Sequence, residues 1–251
     1  MLYRLINRLG RILVPIIVVA SFIALAMLSS YEQFKINQQK HIGGPNNISD
    51  SLERKQRSAI RLSRNSAVNV LSASDEGYIS SSSGTYLLMN DKHYVLTVGH
   101  AIVGDCNSIR IMYDGFMAKC IEIKLIDHMT DYAIIETERI PNRVPIKSLK
   151  LKNTDWDQAL SIQNGIYYTG YPNGLGQLTI SGKIVGLDGG HNLYVHSFAW
   201  PGSSGSGVFS ESGDLVGIIV AISVGATDFG VDVLEDMVIV IPLYKINWDM
   251  L

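Results

Sequence analysis

SIRIMYDGFMAKCIEIKLI, residues 108 to 126, contains two runs of alternating apolar and polar residues around a central Asp114-Gly115 pair. An Asp-Gly pair between two such runs is a strong signal for a two-residue hairpin turn. In that register Tyr113 lies opposite Phe116, and Cys120 lies opposite Ile109. The stretch therefore predicts an antiparallel β-hairpin.

Short runs of the same type recur along the chain after Asn65. They include AVNVLSA, GTYLLM, HYVLTVG, YAIIETE, LTISGKIVGL and LVGIIVAI, about a dozen in all, with turn residues between them and almost no helical period. With 251 residues and 47% hydrophobic content, the chain can bury a large core. An all-β barrel or sandwich is therefore expected.

Charge divides the sequence at about residue 64. Residues 1–64 carry 10 Lys and Arg against 3 Asp and Glu, while residues 65–251 carry 11 against 20. An acidic folded part offers no broad basic surface for a phosphate backbone, so nucleic-acid binding is not expected. Basic substrates or partners are mildly favoured instead.

The N-terminus contains a membrane-targeting segment. A 17-residue run from Ile12 to Leu28 is interrupted only by one proline and one serine, and it follows three arginines: Arg4, Arg8 and Arg11. A spanning helix needs about 20 apolar residues, and at least about 17, whereas a signal peptide has about 7 to 15. Residues 1–30 are therefore expected to form a single-pass anchor, with the N-terminus cytoplasmic and the rest extracytoplasmic. The small residues Ala24 and Ala26 leave open a cleaved signal and a secreted protein.

Residues 31–64 are polar and basic and show no sustained apolar period, which is typical of a tether. Within them, Leu52 to Arg64 has the composition of a short basic helix. Such a charged segment is expected to be solvated, and contact with lipid or with a partner is the alternative.

The sequence contains two cysteines, Cys106 and Cys120, which lack the C-x-x-C spacing of a zinc or redox site. In the hairpin register above, Cys106 lies about three residues beyond the position opposite Cys120. A disulfide would therefore need a curled segment before Ser108. Two independently buried thiols remain the alternative.

Three polar residues at the ends of β-type runs have the chemistry of a nucleophilic serine site. A serine nucleophile needs a base for its proton, a carboxylate that orients the base, and backbone donors for the oxyanion. His100 follows the run that ends at Thr97, and Asp131 opens DYAIIE. Ser204 lies in PGSSGSGVF, where glycines allow a tight turn before a strand. Asp127 is the nearest alternative carboxylate.

These segments resemble the chymotrypsin-like serine peptidases, particularly their bacterial HtrA (DegP-like) branch. SSGTYLLMNDKHYVLTVGHAI looks like the entry segment that ends in T-x-x-H, and DHMTDYAII is similar to D-x-x-x-D-[LIV]-A. GYPNGLGQLTISGKIVGL resembles the G-x-P-x-G strand and loop, and PGSSGSGVF matches P-G-x-S-G-[GS]. The resemblance covers about residues 66 to 243.

The resemblance implies a protease domain at residues 65–251 with two six-stranded antiparallel β-barrels, the first at about 65–150 and the second at about 151–245. It implies that His100 is the general base, Asp131 the orienting carboxylate and Ser204 the nucleophile. The backbone N–H groups of Gly202 and Ser204 would form the oxyanion hole. Neither a metal ion nor another cofactor is expected.

Two positions depart from the family pattern. Ser203 stands where the family often has asparagine, and Gly207 replaces the usual proline, which is nearer to the G-x-S-G-S of the glutamyl endopeptidases. These changes leave the hydroxyl, the base and the donors in place, so they bear on loop rigidity and substrate choice. Because 44 residues follow Gly207, no PDZ domain is expected after the barrels.

In this fold the residue six before the nucleophile lies at the base of the primary specificity pocket, and here it is Phe198. Ile219, Val220 and Ala221 would lie along a wall of that pocket. An apolar floor without an acidic residue predicts small or medium apolar substrate side chains and not Arg or Lys. His196 leaves open a preference for acidic side chains, as in the glutamyl relatives.

The sequence therefore predicts an exported, membrane-tethered serine endopeptidase that acts on proteins or peptides. The alternative is a noncatalytic module that keeps the barrels and binds unfolded or peptide segments, as a chaperone would. A broken triad would mark that alternative, and here all three residues are present.

Overall fold

A computed structural model describes residues 49–147, 149, 155–227, 230–249 and 251, with side chains outside residues 49–55 and 223–235. The predicted anchor or signal segment, residues 1–30, lies outside the described residues. Within the described ranges, no helix is long and apolar enough to cross a membrane.

The first half of the described chain forms a closed antiparallel barrel, the first barrel. Its strands follow the order β1-β2-β3-β6-β5-β4, and pairing of β1 with β4 closes the barrel. The strands are β1 Ala67–Ala73, β2 Ile79–Met89, β3 Lys92–Thr97, β4 Ile109–Tyr113, β5 Phe116–Asp127 and β6 Tyr132–Thr137.

The second half repeats this architecture as the second barrel, with strand order β10-β11-β12-β9-β8-β7. Its strands are β7 Gly165–Gly170, β8 Leu178–Leu187, β9 Leu193–His196, β10 Gly207–Ser210, β11 Leu215–Thr227 and β12 Gly230–Pro242. The two closed barrels confirm the predicted all-β fold with two six-stranded units.

Three hydrophobic clusters stabilise this arrangement. One fills the first barrel and another fills the second. The third cluster contains buried residues of both barrels, among them Leu96, Tyr132, Phe209 and Ile218. Because this cluster joins the two barrels, it fixes the strand ends that carry the candidate site.

The hairpin at Asp114-Gly115 has the predicted register, with Tyr113 opposite Phe116. Both turn residues have positive φ, 50° and 82°, as a type I′ turn requires. Cys106 and Cys120 form a disulfide, and Cys106–Ser108 is a short 3-10 helix that supplies the curl the pairing needs. The structure thus selects the disulfide over two free thiols.

Helix α1, Ser49–Ser66, extends the helix expected at Leu52–Arg64. Ala59, Ser63 and Ser66 are fully buried at i, i+4 and i+7, which defines one packed face. The hydroxyl of Ser63 is 2.8 Å from that of Thr169 on β7. The last turns of the predicted tether are therefore a packed part of the folded unit.

Candidate active site

His100 and Asp131 meet at neighbouring strand ends of the first barrel. His100 lies just after β3, and Asp131 lies immediately before β6 with φ 62°. Asp131 accepts hydrogen bonds from the backbone N–H of His100 at 2.8 Å and from its imidazole Nδ1 at 2.7 Å. The left-handed backbone of Asp131, uncommon for a non-glycine residue, turns the carboxylate towards His100.

The carboxylate also determines the chemistry of the imidazole. An ionised carboxylate only accepts hydrogen bonds, so Nδ1 carries the proton and neutral His100 keeps the lone pair on Nε2. The hydrogen bond to Asp131 raises the pKa of His100 above its ordinary value, although partial burial opposes the shift. The His100 side chain is 53% exposed, so Nε2 is accessible for proton transfer.

Asp127, the alternative carboxylate, has another role. Its Oδ1 accepts from the backbone N–H groups of Thr130 and Met129 at 3.0 and 2.9 Å. The bond from Thr130 is the main cause of its lowered pKa. Asp127 therefore stabilises the turn before Asp131, and Asp131 is the residue that contacts the imidazole.

The segment from Trp200 to Ser203 forms a type II β-turn. The N–H of Ser203 donates to the carbonyl of Trp200 at 2.9 Å, Pro201 occupies the second position, and Gly202 has φ 92° at the third. This conformation favours proline second and glycine third. The Pro201-Gly202 pair thus encodes the turn locally.

The central peptide of this turn has a defined orientation. The N–H of Asn173 donates to the carbonyl of Pro201 at 2.7 Å. In a trans peptide the carbonyl and the next N–H point in opposite directions, so the N–H of Gly202 points away from Asn173. In a type I turn this peptide is rotated by about 180°, so the N–H of Gly202 would point in the opposite direction.

Backbone donors in and after the turn fall into two groups. Ser203, Gly205 and Ser206 donate to the carbonyls of Trp200, Ile219 and Ser203, respectively. The N–H groups of Gly202 and Ser204 have no acceptor among the described residues. They are the two donors predicted for the oxyanion hole.

Of the three serines in the turn and the three residues after it, Ser204 is the accessible one. Ser203 and Ser206 are buried, whereas Ser204 is partly exposed. The hydroxyl of Ser204 makes a long contact of 3.5 Å with the carbonyl of Val220. Within the described part of the chain, no hydrogen bond joins it to the imidazole of His100. Such bonds are often long or absent before substrate binds.

The predicted specificity residues differ in burial, since two are exposed and two are buried. The Phe198 ring is 56% exposed and stacks on Trp200 with centroids 6.3 Å apart. Ile219 and Val220 are buried in the core clusters, and Ala221 is exposed. Phe198 lines a cleft on the second barrel without Ile219 or Val220. The apolar floor at Phe198 therefore stays a prediction.

His196 lines the same cleft, together with Lys183 and Glu211. Its Nε2 lies 3.7 Å from Oδ2 of Asp236, and both side chains are exposed. His196 thus already has a carboxylate neighbour. An acidic substrate side chain would have to compete with Asp236 for it.

Asn173 and Ser83, which lie outside the predicted set, hydrogen-bond to the turn. Asn173 lies in the GYPNGLG segment noted for its family resemblance, but nothing in the sequence shows that its N–H faces Pro201. Ser83 belongs to a run of four serines whose members look alike in the sequence. Only the strand orientation distinguishes them.

Known proteins show the same architecture. A family model described as a trypsin-like peptidase domain matches residues 79–218. A serine endoprotease from Yersinia pestis is 23% identical with a TM-score of 0.59, over 80% of this chain and 64% of that one. The HtrA-type protease AlgW, determined with a tripeptide, is 18% identical with a TM-score of 0.57, over 76% and 60%. The chain thus spans less than two thirds of these structures, and no curated protein matches significantly.

Proposed function

The chain belongs to the trypsin-like peptidase domain family, and from this premise we propose that it is a serine endopeptidase that acts through Ser204, His100 and Asp131. The observation that carries the proposal is the turn itself. It presents one accessible serine together with the N–H groups of Gly202 and Ser204, which have no acceptor among the described residues.

In the proposed cycle, Ser204 Oγ attacks the carbonyl carbon of the scissile peptide while its proton passes to Nε2 of His100. The carbonyl oxygen becomes an oxyanion that accepts from the N–H groups of Gly202 and Ser204. The tetrahedral intermediate then breaks the C–N bond, and His100 returns the proton to the leaving amine. Water, deprotonated by His100, releases the acyl group by the same route.

Asp131 has an orienting and electrostatic role in this cycle. Its hydrogen bond keeps the proton on Nδ1, so that the lone pair of Nε2 can accept the proton of the nucleophile. It also stabilises the imidazolium that forms when Ser204 loses its proton. The raised pKa of His100 is consistent with that stabilisation.

The proposed substrates are protein or peptide segments with a small or medium apolar side chain before the cleaved bond, as expected from an apolar residue at Phe198. Asp236 beside His196 makes an acidic preference the less favoured alternative. Export and tethering through residues 1–30 form part of the same proposal. The Cys106–Cys120 disulfide supports export, since disulfides persist mainly in oxidising compartments.

The test is labelling of the purified exported part with a fluorophosphonate probe, which reacts with activated serines. We expect labelling of the wild type and loss of labelling in Ser204→Ala and His100→Ala. Ser206→Ala is the matched control, because Ser206 lies two residues away but is fully buried. Absence of Ser204-dependent labelling, with or without added peptides, would exclude the peptidase. Loss of labelling in Ser206→Ala alone would assign the nucleophile to Ser206 instead of Ser204.

One observation favours a second candidate, the noncatalytic peptide-binding module. The Ser204 hydroxyl contacts Val220 and not His100. A module of this kind would bind a denatured protein with equal affinity in the wild type and in Ser204→Ala. It would release no cleavage products. Binding measured together with product analysis therefore separates the two candidates.

A further inference from the structure

Ser83 lies where the first barrel contacts the candidate nucleophile turn. Side chains alternate along β2, and its neighbour Gly84 faces the first barrel, where an added Cβ would lie 2.6 Å from Val95. Ser83 therefore faces out of that barrel. It is nevertheless completely buried, because the second barrel covers it.

Every polar group of Ser83 has a partner. Its hydroxyl donates to the carbonyl of Gly202 at 2.7 Å and accepts from the N–H of Tyr171 at 2.9 Å. Its N–H donates to the carbonyl of Ser204 at 2.8 Å, and its own carbonyl accepts from Thr97 Oγ1 at 2.7 Å. One side chain and one N–H thus hold both proposed oxyanion residues.

The hydroxyl also sets the position of the second segment that contacts the turn. Tyr171, which donates to Ser83, lies two residues before Asn173, whose N–H holds the carbonyl of Pro201. The two segments are close, since a Cβ on Gly202 would be 2.8 Å from the carbonyl oxygen of Tyr171. Ser83 Oγ therefore fixes both sides of the Pro201-Gly202 peptide.

We propose that Ser83 is a positioning residue that holds the Trp200–Ser203 turn in its type II form, with the Gly202 N–H directed at the oxyanion site. The proposal rests on the proposed peptidase function. Ser83 does not contact substrate and acts only through the turn. Loss of its hydroxyl leaves the Gly202 carbonyl and the Tyr171 N–H without this partner, so the central peptide loses part of its restraint although Asn173 still contacts it.

Ser83→Ala tests the proposal, and Ser82→Ala is its matched control. Ser82 is the adjacent residue and equally buried, but among the described residues its hydroxyl contacts Thr97 Oγ1 at 3.2 Å and neither Gly202 nor Tyr171, so its loss leaves both bonds of the Ser83 hydroxyl in place. Since a lost oxyanion donor costs about 100- to 1,000-fold in rate, partial release of the turn should lower the maximal labelling rate by about 10- to 100-fold. The half-saturating probe concentration should stay within about twofold, because the bond acts in the transition state.

Ser83→Cys keeps the size of the side chain and a weak S–H donor. It should have an intermediate labelling rate. Thermal unfolding shows whether Ser83→Ala folds, and if it does not, Ser83→Cys is compared with Ser82→Ala instead. A labelling rate that decreases from the wild type to Ser83→Cys to Ser83→Ala supports the positioning role. A rate in folded Ser83→Ala equal to that of Ser82→Ala overturns it.

A direct readout does not depend on activity. Gly202 is the only glycine in the sequence that follows a proline, so labelling proline carbonyl carbons with ¹³C and glycine nitrogens with ¹⁵N gives one coupled NMR signal, from the peptide in question. We expect this signal to shift or broaden in Ser83→Ala and to be unchanged in Ser82→Ala. If the wild type is not labelled by the probe, the peptidase proposal fails and this signal alone decides the role of Ser83. An unchanged signal refutes it.

Discussion

Substitution of Gly202 by alanine tests whether the turn conformation determines activity. Gly202 has φ 92°, where a Cβ costs about 1 to 2 kcal/mol. The added Cβ would also lie 2.8 Å from the carbonyl oxygen of Tyr171 and 3.3 Å from the nitrogen of Asn173. Both are backbone atoms, so neither contact can be relieved by a side-chain rotation.

A type I turn removes the backbone penalty, because its third residue has φ of about −90°, which alanine adopts without strain. That change rotates the central peptide and turns the Gly202 N–H away from the oxyanion site. One lost donor raises the barrier by about 2.7 to 4 kcal/mol. We therefore expect Gly202→Ala to lower the fluorophosphonate labelling rate by about 100- to 1,000-fold.

Gly77→Ala is the matched control. Gly77 has φ 83°, but an added Cβ there has no atom within 4 Å. Both variants should lose about 1 to 2 kcal/mol or less in urea unfolding, while only Gly202→Ala should lose labelling. If folded Gly202→Ala is labelled within about threefold of Gly77→Ala, the turn does not control the oxyanion donor and the reasoning is refuted.

Two further predictions concern protonation and covalent structure. Labelling should decrease as the pH falls through the pKa of His100, which the Asp131 bond raises above its ordinary value of about 6.5, and a rate independent of pH between 5 and 8 would contradict a base at His100. The same raised pKa means that the His100–Asp131 pair stabilises the fold most at pH below about 6.5, and this contribution disappears as the pH rises through the folded-state pKa. Replacement of Cys106 and Cys120 by serine should lower the free energy of unfolding by about 3 kcal/mol, as loop entropy predicts for a closed loop of this length, and an unchanged urea midpoint would show that the bond is dispensable.

Local patterns in the sequence predicted the strands and the hairpin, whereas the two six-stranded barrels were implied by the family resemblance. Alternation fixes which residues face a barrel interior, and Asp114-Gly115 fixes the turn with its positive φ values. His100 and Asp131 were also identifiable, because each lies at the end of a strand whose pattern is clear. Their pairing needs only that β3 and β6 are neighbours, as they are.

Features that depend on distant parts of the chain were not predictable in the same way. The disulfide remained open because it required a curl at Cys106–Ser108 that no alternation reveals. Helix α1 has a polar composition, and its buried face becomes clear only with the strands it contacts. The pocket floor expected at Phe198 stays a prediction, and the ring is exposed and stacks on Trp200. Ser83 is one of four consecutive serines, and only its place opposite Gly202 distinguishes it.

The docking of helix α1 has a consequence for the order in which the molecule folds. Ser63 contacts Thr169, 106 residues further along the chain, and Ser83 contacts Gly202 across 119 residues. During synthesis from the N-terminus, the first contact must wait for β7 and the second for the segment between β9 and β10, and contacts of such long separation form slowly. A partly emerged chain would thus already contain His100 and Asp131, but Ser83 would not yet hold the Trp200–Ser203 turn in place. We expect its hydrolytic chemistry to begin only after the last strands have closed, which would protect the nascent chain and its neighbours from premature cleavage.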